Sequence, residues 1–177
     1  MYLWVAIDVN EQVSKLRENV EKYIRSNGLT SPTLTLPFHL SLKISFQIPN
    51  GIYREVVDDI SEFCKSLKPF TIPVRKIEIS GTILWLTMED CSTLTYIHNE
   101  LDALLLKKHG VAQHTFDKNF IFHTSVLIMK SEEEIQGAYA DIKDTNIPNA
   151  LKAEKIIIGS SEDGKAGTYS VNEEIML

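Results

Sequence analysis

The sequence predicts an α+β fold made of two similar lobes, and three observations carry that expectation. Strand-like and helix-like patterns alternate along the whole chain of 177 residues. Three segments then recur in the same order. LWVAID at 3–8 returns as LWLTME at 84–89, and FHLSL at 38–42 returns as FHTSV at 122–126. RKIEIS at 75–80 has a weaker echo in EKIIIG at 154–159. The spacings, 81, 84 and 79 residues, are nearly one period. An internal duplication of this size gives two lobes, about 1–80 and 81–160, with the last strand at 167–175 added to one of them. Finally, the composition is that of an ordinary globular chain, 44% apolar and 24% charged.

Each element has its own signal. YLWVAID, 2–8, reads as a strand. Asn10 is placed to cap a helix carrying Val13, Leu16, Val20, Tyr23 and Ile24, which Gly28 ends. Residues 38–48 form the second strand. Ile52, Val56, Ile60, Phe63 and Leu67 mark a second helix. TIPVRKIEIS, 71–80, is a strand starting near Pro73, and Gly81 turns the chain into ILWLTME. Asp90 is placed to cap a helix with Leu94, Ile97, Leu101, Leu104 and Leu105 on one face. NFIFHTSVLIMK, 119–130, is the next strand. Ser131 and Glu134 make a capping box for a helix with Ile135, Ala138, Tyr139 and Ile142. Strands at 152–160 and 167–175 close the chain, separated by a turn at SEDGKAG.

The segment PFHLSLKISF, 37–46, poses the functional question. Alternate residues of a strand face opposite sides. Leu40, Leu42 and Ile44 then share a core face, while His39, Ser41 and Lys43 share the other. One His-x-Ser is a weak signal, and its bland reading is a satisfied strand histidine. Here it occurs twice, after a phenylalanine each time, with His123 and Ser125 in the second copy and Leu127 where Lys43 stood. Lobes related by a pseudo-twofold axis would turn these faces toward each other across a cleft. Two imidazoles around one small volume suit proton transfer at a phosphodiester. One neutral ring accepts a proton and one charged ring donates it near neutral pH. Ser41, Ser125 and Lys43 would hold the non-bridging phosphate oxygens. Lys43 has a plain alternative as a solvated strand residue. No metal or other cofactor is required. Trp4 and Trp85, at equivalent positions, read as core, and so do Phe38 and Phe122. His98, His109 and His114 read as surface residues.

Paired H-x-[S/T]-x motifs about 80 residues apart in a duplicated chain resemble the two-histidine phosphoesterase superfamily. Within it the chain is most similar to the bacterial 2′-5′ RNA ligase and cyclic phosphodiesterase branch. The resemblance covers the YLWVAI start, both motifs, ILWLTM and a closing strand with Tyr169. It implies two antiparallel sheets flanking a central cleft, with helices outside. It implies metal-independent opening or formation of 2′,3′-cyclic phosphates and 2′-5′ linkages. His39 and His123 would be the catalytic pair, Ser41 and Ser125 would bind phosphate, and Tyr169 and Lys130 would line the cleft. Proline often precedes the motif histidine in this family; here Phe38 and Phe122 do, with Pro37 one residue earlier.

Charge and cysteines bound the partners. The formal charge is −6 at pH 7, with no basic stripe for duplex DNA. RNA ends or small nucleotides with a cyclic phosphate remain as partners. Cys64 and Cys91 read as reduced core thiols without metal spacing, which points to the cytoplasm. No segment reads as a membrane span, and a monomer is expected. The rival to an enzyme is a non-catalytic module that binds a nucleotide or RNA end. A structural or partner-binding protein, without phosphate affinity, comes third.

Overall fold

Leu3, Val5 and Ile7 are completely buried, and their period of two makes the first segment a strand with one face in the core. The computed structural model describes residues 1–177. The order is β1 (Tyr2–Asp8), α1 (Ser14–Ser26), β2 (His39–Gln47), α2 (Tyr53–Lys65), β3 (Phe70–Ser80), β4 (Ile83–Met88), α3 (Ser92–His109), β5 (His123–Ile128), α4 (Glu132–Ile142), β6 (Ala150–Ala153), β7 (Lys155–Ser161) and β8 (Ser170–Met176). The strands form two four-stranded sheets, β2-β1-β7-β8 and β5-β4-β3-β6. Every pairing is antiparallel. The fold is α+β, as the sequence predicts.

The lobes do not divide at residue 80. β3 belongs to the first stretch of sequence but pairs with β4 in the second sheet. β7 belongs to the second stretch but pairs with β1 in the first sheet. The two halves thus exchange their third strands. The cause is pairing geometry: β3 runs through the tight turn at Gly81, φ +57°, directly into β4, and neighbours joined by so short a turn pair with each other. The helices cross over similarly, α1 against α4 and α2 against α3. One continuous cluster of buried apolar side chains draws on both sheets and all four helices, so the chain has one core. No helix is long and apolar enough to cross a membrane.

Local signals differ in detail. Asn10 does not cap α1. Its side-chain oxygen instead accepts from the Arg17 guanidinium and from the Phe38 amide, both at 3.0 Å, which ties the helix to the segment just before His39. Arg17 also donates to the carbonyls of Leu34 and Leu36. Asp90 likewise leaves the cap of α3 to Cys91, which is only half-buried. Ser131 caps α4 by accepting from the Glu134 amide at 3.2 Å. The Glu134 carboxylate reaches back to the Lys130 amide rather than to the cap residue. The strand expected at 119–130 is shorter, His123–Ile128, and Asn119 belongs instead to a 3-10 turn, Thr115–Asn119.

This topology makes a testable statement about folding units. Residues 1–80 alone retain only the β1–β2 pair of the first sheet, and an isolated two-stranded pair is at best marginal in water. Neither 1–80 nor 81–177 is expected to unfold cooperatively by itself, whereas the two fragments mixed should regain helix and strand signal by circular dichroism. A cooperative urea transition in either fragment alone would contradict the exchanged-strand core.

Candidate functional site

The motif strands carry irregularities that decide which side chains reach the cleft. Along β2 the partners on β1 step from Ser41 to Lys43 and then to Phe46, while β1 advances only from Ala6 to Val5 to Leu3. Extra residues in β2 therefore break the alternation. Leu42 and Lys43 both point inward, and Ile44 and Ser45 both turn outward. β5 repeats the first of these shifts between Ser125 and Leu127, so that Val126 and Leu127 are both buried.

Lys43 is consequently not in the cleft. It is 1% exposed, and its ammonium lies 2.6 Å from an Asp102 carboxylate oxygen and against Asp117. The expectation that it binds phosphate fails because the strand turns it into the core. Ile44, expected in the core, faces the cleft instead. His98, expected at the surface, is buried beside this cluster. Its Nδ1 lies 2.7 Å from the Leu42 carbonyl and its ring stacks on Phe120. The donor atoms of His98, Asp102 and Asp117 lie within 4.8 Å of one another. They have the chemistry to hold a cation, and the Lys43 ammonium stands among them. The cluster joins β2, α3 and the Thr115–Asn119 turn.

Around the histidines the two halves are alike. The His39 Nδ1 lies 2.9 Å from the Pro37 carbonyl, and the His123 Nδ1 lies 2.7 Å from the Ile121 carbonyl. A carbonyl only accepts, so each Nδ1 carries the proton and each Nε2 is left as the free nitrogen. His39 stacks on Trp4 with centroids 4.5 Å apart, and His123 stacks on Trp85 at 3.9 Å. These tryptophans, expected in the core, are outside the main core cluster and support the imidazoles. Trp4 forms a small cluster with Ala6 and Ile157, against which Leu36, Tyr169 and Val171 pack. The period of two in β1 carried this signal, because Trp4, Ala6 and Asp8 alternate with Leu3, Val5 and Ile7.

Burial pushes both imidazoles below the ordinary value of 6.5. The carbonyl bonds and, for His39, the nearby Asp8 carboxylate push partly the other way. The charge of His39 lowers His123 further. Asp8 pairs with His39 across the strands and with Lys155 at 2.7 Å. The motif reading missed both residues.

Ser41 and Ser125 are half-buried on the same faces as the histidines. Tyr169 reaches the cleft face of the first sheet, its ring against the Trp4 cluster and its hydroxyl bonded to Ser45. Lys130 is exposed beyond the far end of β5. A cavity of about 550 Å³ opens beside His123. Ile44, Trp85, Phe116, Phe120 and Ile121 give it an apolar wall. A second group of ligand-type side chains, Glu55, Asp59 and His109, lies between α2 and α3. Asp59 there is already paired with Lys108 and His109.

Two sheets, a shared cleft and a stacked, carbonyl-oriented histidine on each side define a duplicated two-histidine architecture. The model of the 2′-5′ RNA ligase superfamily matches residues 7–165, and the chain belongs to that superfamily. Among solved structures it is similar to TT0787 of Thermus thermophilus, with a TM-score of 0.70 and 18% identity, covering 100% of this chain and 98% of that one. Escherichia coli LigT complexed with 3′-AMP has a TM-score of 0.62 at 17% identity, covering 99% and 97%. Kluyveromyces marxianus Usb1 has 0.59 at 11%, covering 99% and 98%. No curated protein matches the sequence.

Two predictions follow from the buried charges. Lys43→Met leaves Asp102 and Asp117 without their buried ammonium, and should cost about 3–5 kcal/mol in urea unfolding at neutral pH. A loss below about 1 kcal/mol would mean that the ammonium does not hold the cluster together. The histidines act on stability with the opposite pH sign to an ordinary salt-bridged imidazole. Their native pKa values are depressed, so the unfolded chain takes up protons first as pH falls below 6.5. Stability is present above that pH and lost down to the native values. The melting temperature should drop over this window in the wild type and drop less in the His39→Gln/His123→Gln variant.

Proposed function

We propose that the chain is a metal-independent phosphodiesterase that opens 2′,3′-cyclic phosphate ends of RNA or of nucleotides. The observation that carries this reading is the pair of imidazoles, each fixed through Nδ1 to a backbone carbonyl and each stacked on a tryptophan. Such fixation leaves two Nε2 atoms as the proton-handling groups. One neutral Nε2 takes a proton from water as the water oxygen attacks phosphorus. The other, charged, gives its proton to the leaving ribose oxygen as the P–O bond breaks. The product is a phosphomonoester, and the same sequence with a 5′-hydroxyl in place of water as the nucleophile makes a 2′-5′ linkage, its proton going to the neutral ring and the ribose oxygen leaving with the proton of the charged one. In this reading Ser41 and Ser125 donate to the non-bridging oxygens as negative charge builds there. Structures of E. coli LigT complexed with 3′-AMP, ATP, NADP+ and phosphate support a nucleotide as the ligand.

Because burial disfavours the charged imidazole, the required cation forms best beside the anionic phosphate. The rate profile should be bell-shaped, each limb reporting one ring. Incubation of the protein with EDTA and 2′,3′-cyclic AMP, or a short RNA ending in a 2′,3′-cyclic phosphate, should yield one 2′-phosphate product by chromatography. His39→Ala and His123→Ala should each lower the rate by about 100- to 10,000-fold. Full activity in either variant would remove that ring from the mechanism. Tight binding without product in the wild type would favour a nucleotide- or RNA-end-binding module.

A further inference from the structure

Trp4 lies directly across the strands from Gly159 of β7. The indole rests against that backbone so closely that a Cβ at 159 would stand 2.4 Å from Cε2 and 2.5 Å from Cζ2 and Nε1 of Trp4. Real Cβ atoms essentially never come nearer than 3.0 Å. The backbone of Gly159 has no positive φ, so what the position needs is the missing side chain, not glycine's conformational freedom. On the same cleft face, Leu36, Tyr169 and Val171 pack around the Trp4 cluster, and the His39 ring stacks on the indole. The His39 ring rests on the same indole that a side chain at 159 would strike, so a shift of the indole is felt by that ring.

The other half is built differently. Trp85 pairs across the strands with Glu78, whose side chain extends to Lys76 at 2.8 Å. Trp85 is half-buried, whereas Trp4 is 5% exposed. The duplication therefore keeps the tryptophan under each histidine but sets its depth by a glycine on one side only.

We propose that Gly159 is a positioning residue: by having no side chain it seats the Trp4 indole, which in turn fixes the height and tilt of the His39 ring in the cleft. The inference rests on the reading of His39 as one of the two working imidazoles. It also makes a claim about the ring's placement that holds whatever the substrate. A ring displaced by about 1 Å loses on the order of 100-fold in rate. That loss should fall on kcat, because Gly159 is screened from the substrate by the indole.

The test compares wild type, Gly159→Ala, Trp4→Phe and the double variant Gly159→Ala/Trp4→Phe. The smaller phenyl removes indole atoms that the new methyl would strike. Two readouts are taken: cyclic phosphate turnover, and the NMR titration of each histidine ring. Gly159→Ala should lower kcat by about 100-fold with KM little changed. It should also move the His39 ring resonances and titration, and leave those of His123 in place. The double variant should recover His39 resonances close to those of Trp4→Phe alone, and its turnover should match that variant's. Wild-type His39 resonances and titration in Gly159→Ala would overturn the proposal. So would a double variant no better than Gly159→Ala. Should the wild type show no turnover, the phosphodiesterase reading fails while the titrations still decide the seat. If Gly159→Ala is too unstable to purify, the recovery of a folded double variant with native-like His39 resonances supports the seat. An equally unfolded double variant overturns it.

Discussion

The geometry of the site depends on a break in the alternation of its two motif strands, β2 and β5, each at an edge of its sheet. A regular strand running from His39 would keep Lys43 and Ser45 beside the histidine and bury Ile44. The irregularity after Ser41 ends that sequence of faces, so that Leu42 and Lys43 enter the core together. β5 does the same with Val126 and Leu127. Each motif strand thus presents only its first two alternate residues, a histidine and a serine, on the histidine's face. β2 then dips inward and offers Ile44 to the cavity beside His123.

The shared shift lets one duplicated frame hold unlike contents. At the first inward position β2 has leucine and β5 has valine; at the second, β5 has leucine and β2 has lysine. A lysine driven into the core needs carboxylates, and Asp102 of α3 and Asp117 of the following turn supply them. A buried pair of this kind is weak as net stabilisation, because desolvating the charges offsets much of their attraction. Its effect is in placement. The acidic partner in the Thr115–Asn119 turn holds Phe116, Phe120 and Ile121 against the His123 side of the cleft. On the other side Leu36, Tyr169 and Val171 pack around the deeply set Trp4 cluster, and the His39 ring stacks on that indole. The two rings share chemistry but differ in surroundings.

The elements of the fold and the motif histidines were legible because they rest on short-range patterns. Periods of two and of about four showed in the apolar residues, and the order of three repeated segments showed the duplication. The partition at residue 80 was not legible, because sequence repetition says which segments correspond and not which of them pair. β3 and β7 correspond to each other, and each lies in the sheet of the other half. The burial of Lys43 was hidden for a related reason. Period-two reasoning assumes an uninterrupted pleat, and a single extra residue inverts every face beyond it. The repeat held a clue, since Leu127 at the equivalent position is apolar and adjoins apolar Val126. The tryptophans were misplaced by the general tendency of paired indoles to pack inside, although the pleat of YLWVAID already set Trp4 on the side of Asp8. Gly159 carried no sequence signal, because its role is a contact with a residue 155 positions away.

The removal of Lys43 from the cleft bears on how a phosphate would be handled there. A lysine beside the rings would bind anionic substrate and product alike, and would bind the doubly charged monoester product more strongly. With that cation spent on Asp102 and Asp117, the strand leaves the charge to come from the histidines themselves. Burial disfavours the charged form of both rings, which an anion beside them would offset. A positive charge that forms with the substrate and moves as its proton is transferred favours the transition state over either bound end state. Orientation then matters more than net charge. This accounts for the structural effort around each ring: a backbone carbonyl fixes the tautomer, an indole fixes the plane, and on one side a bare glycine fixes the depth of the indole.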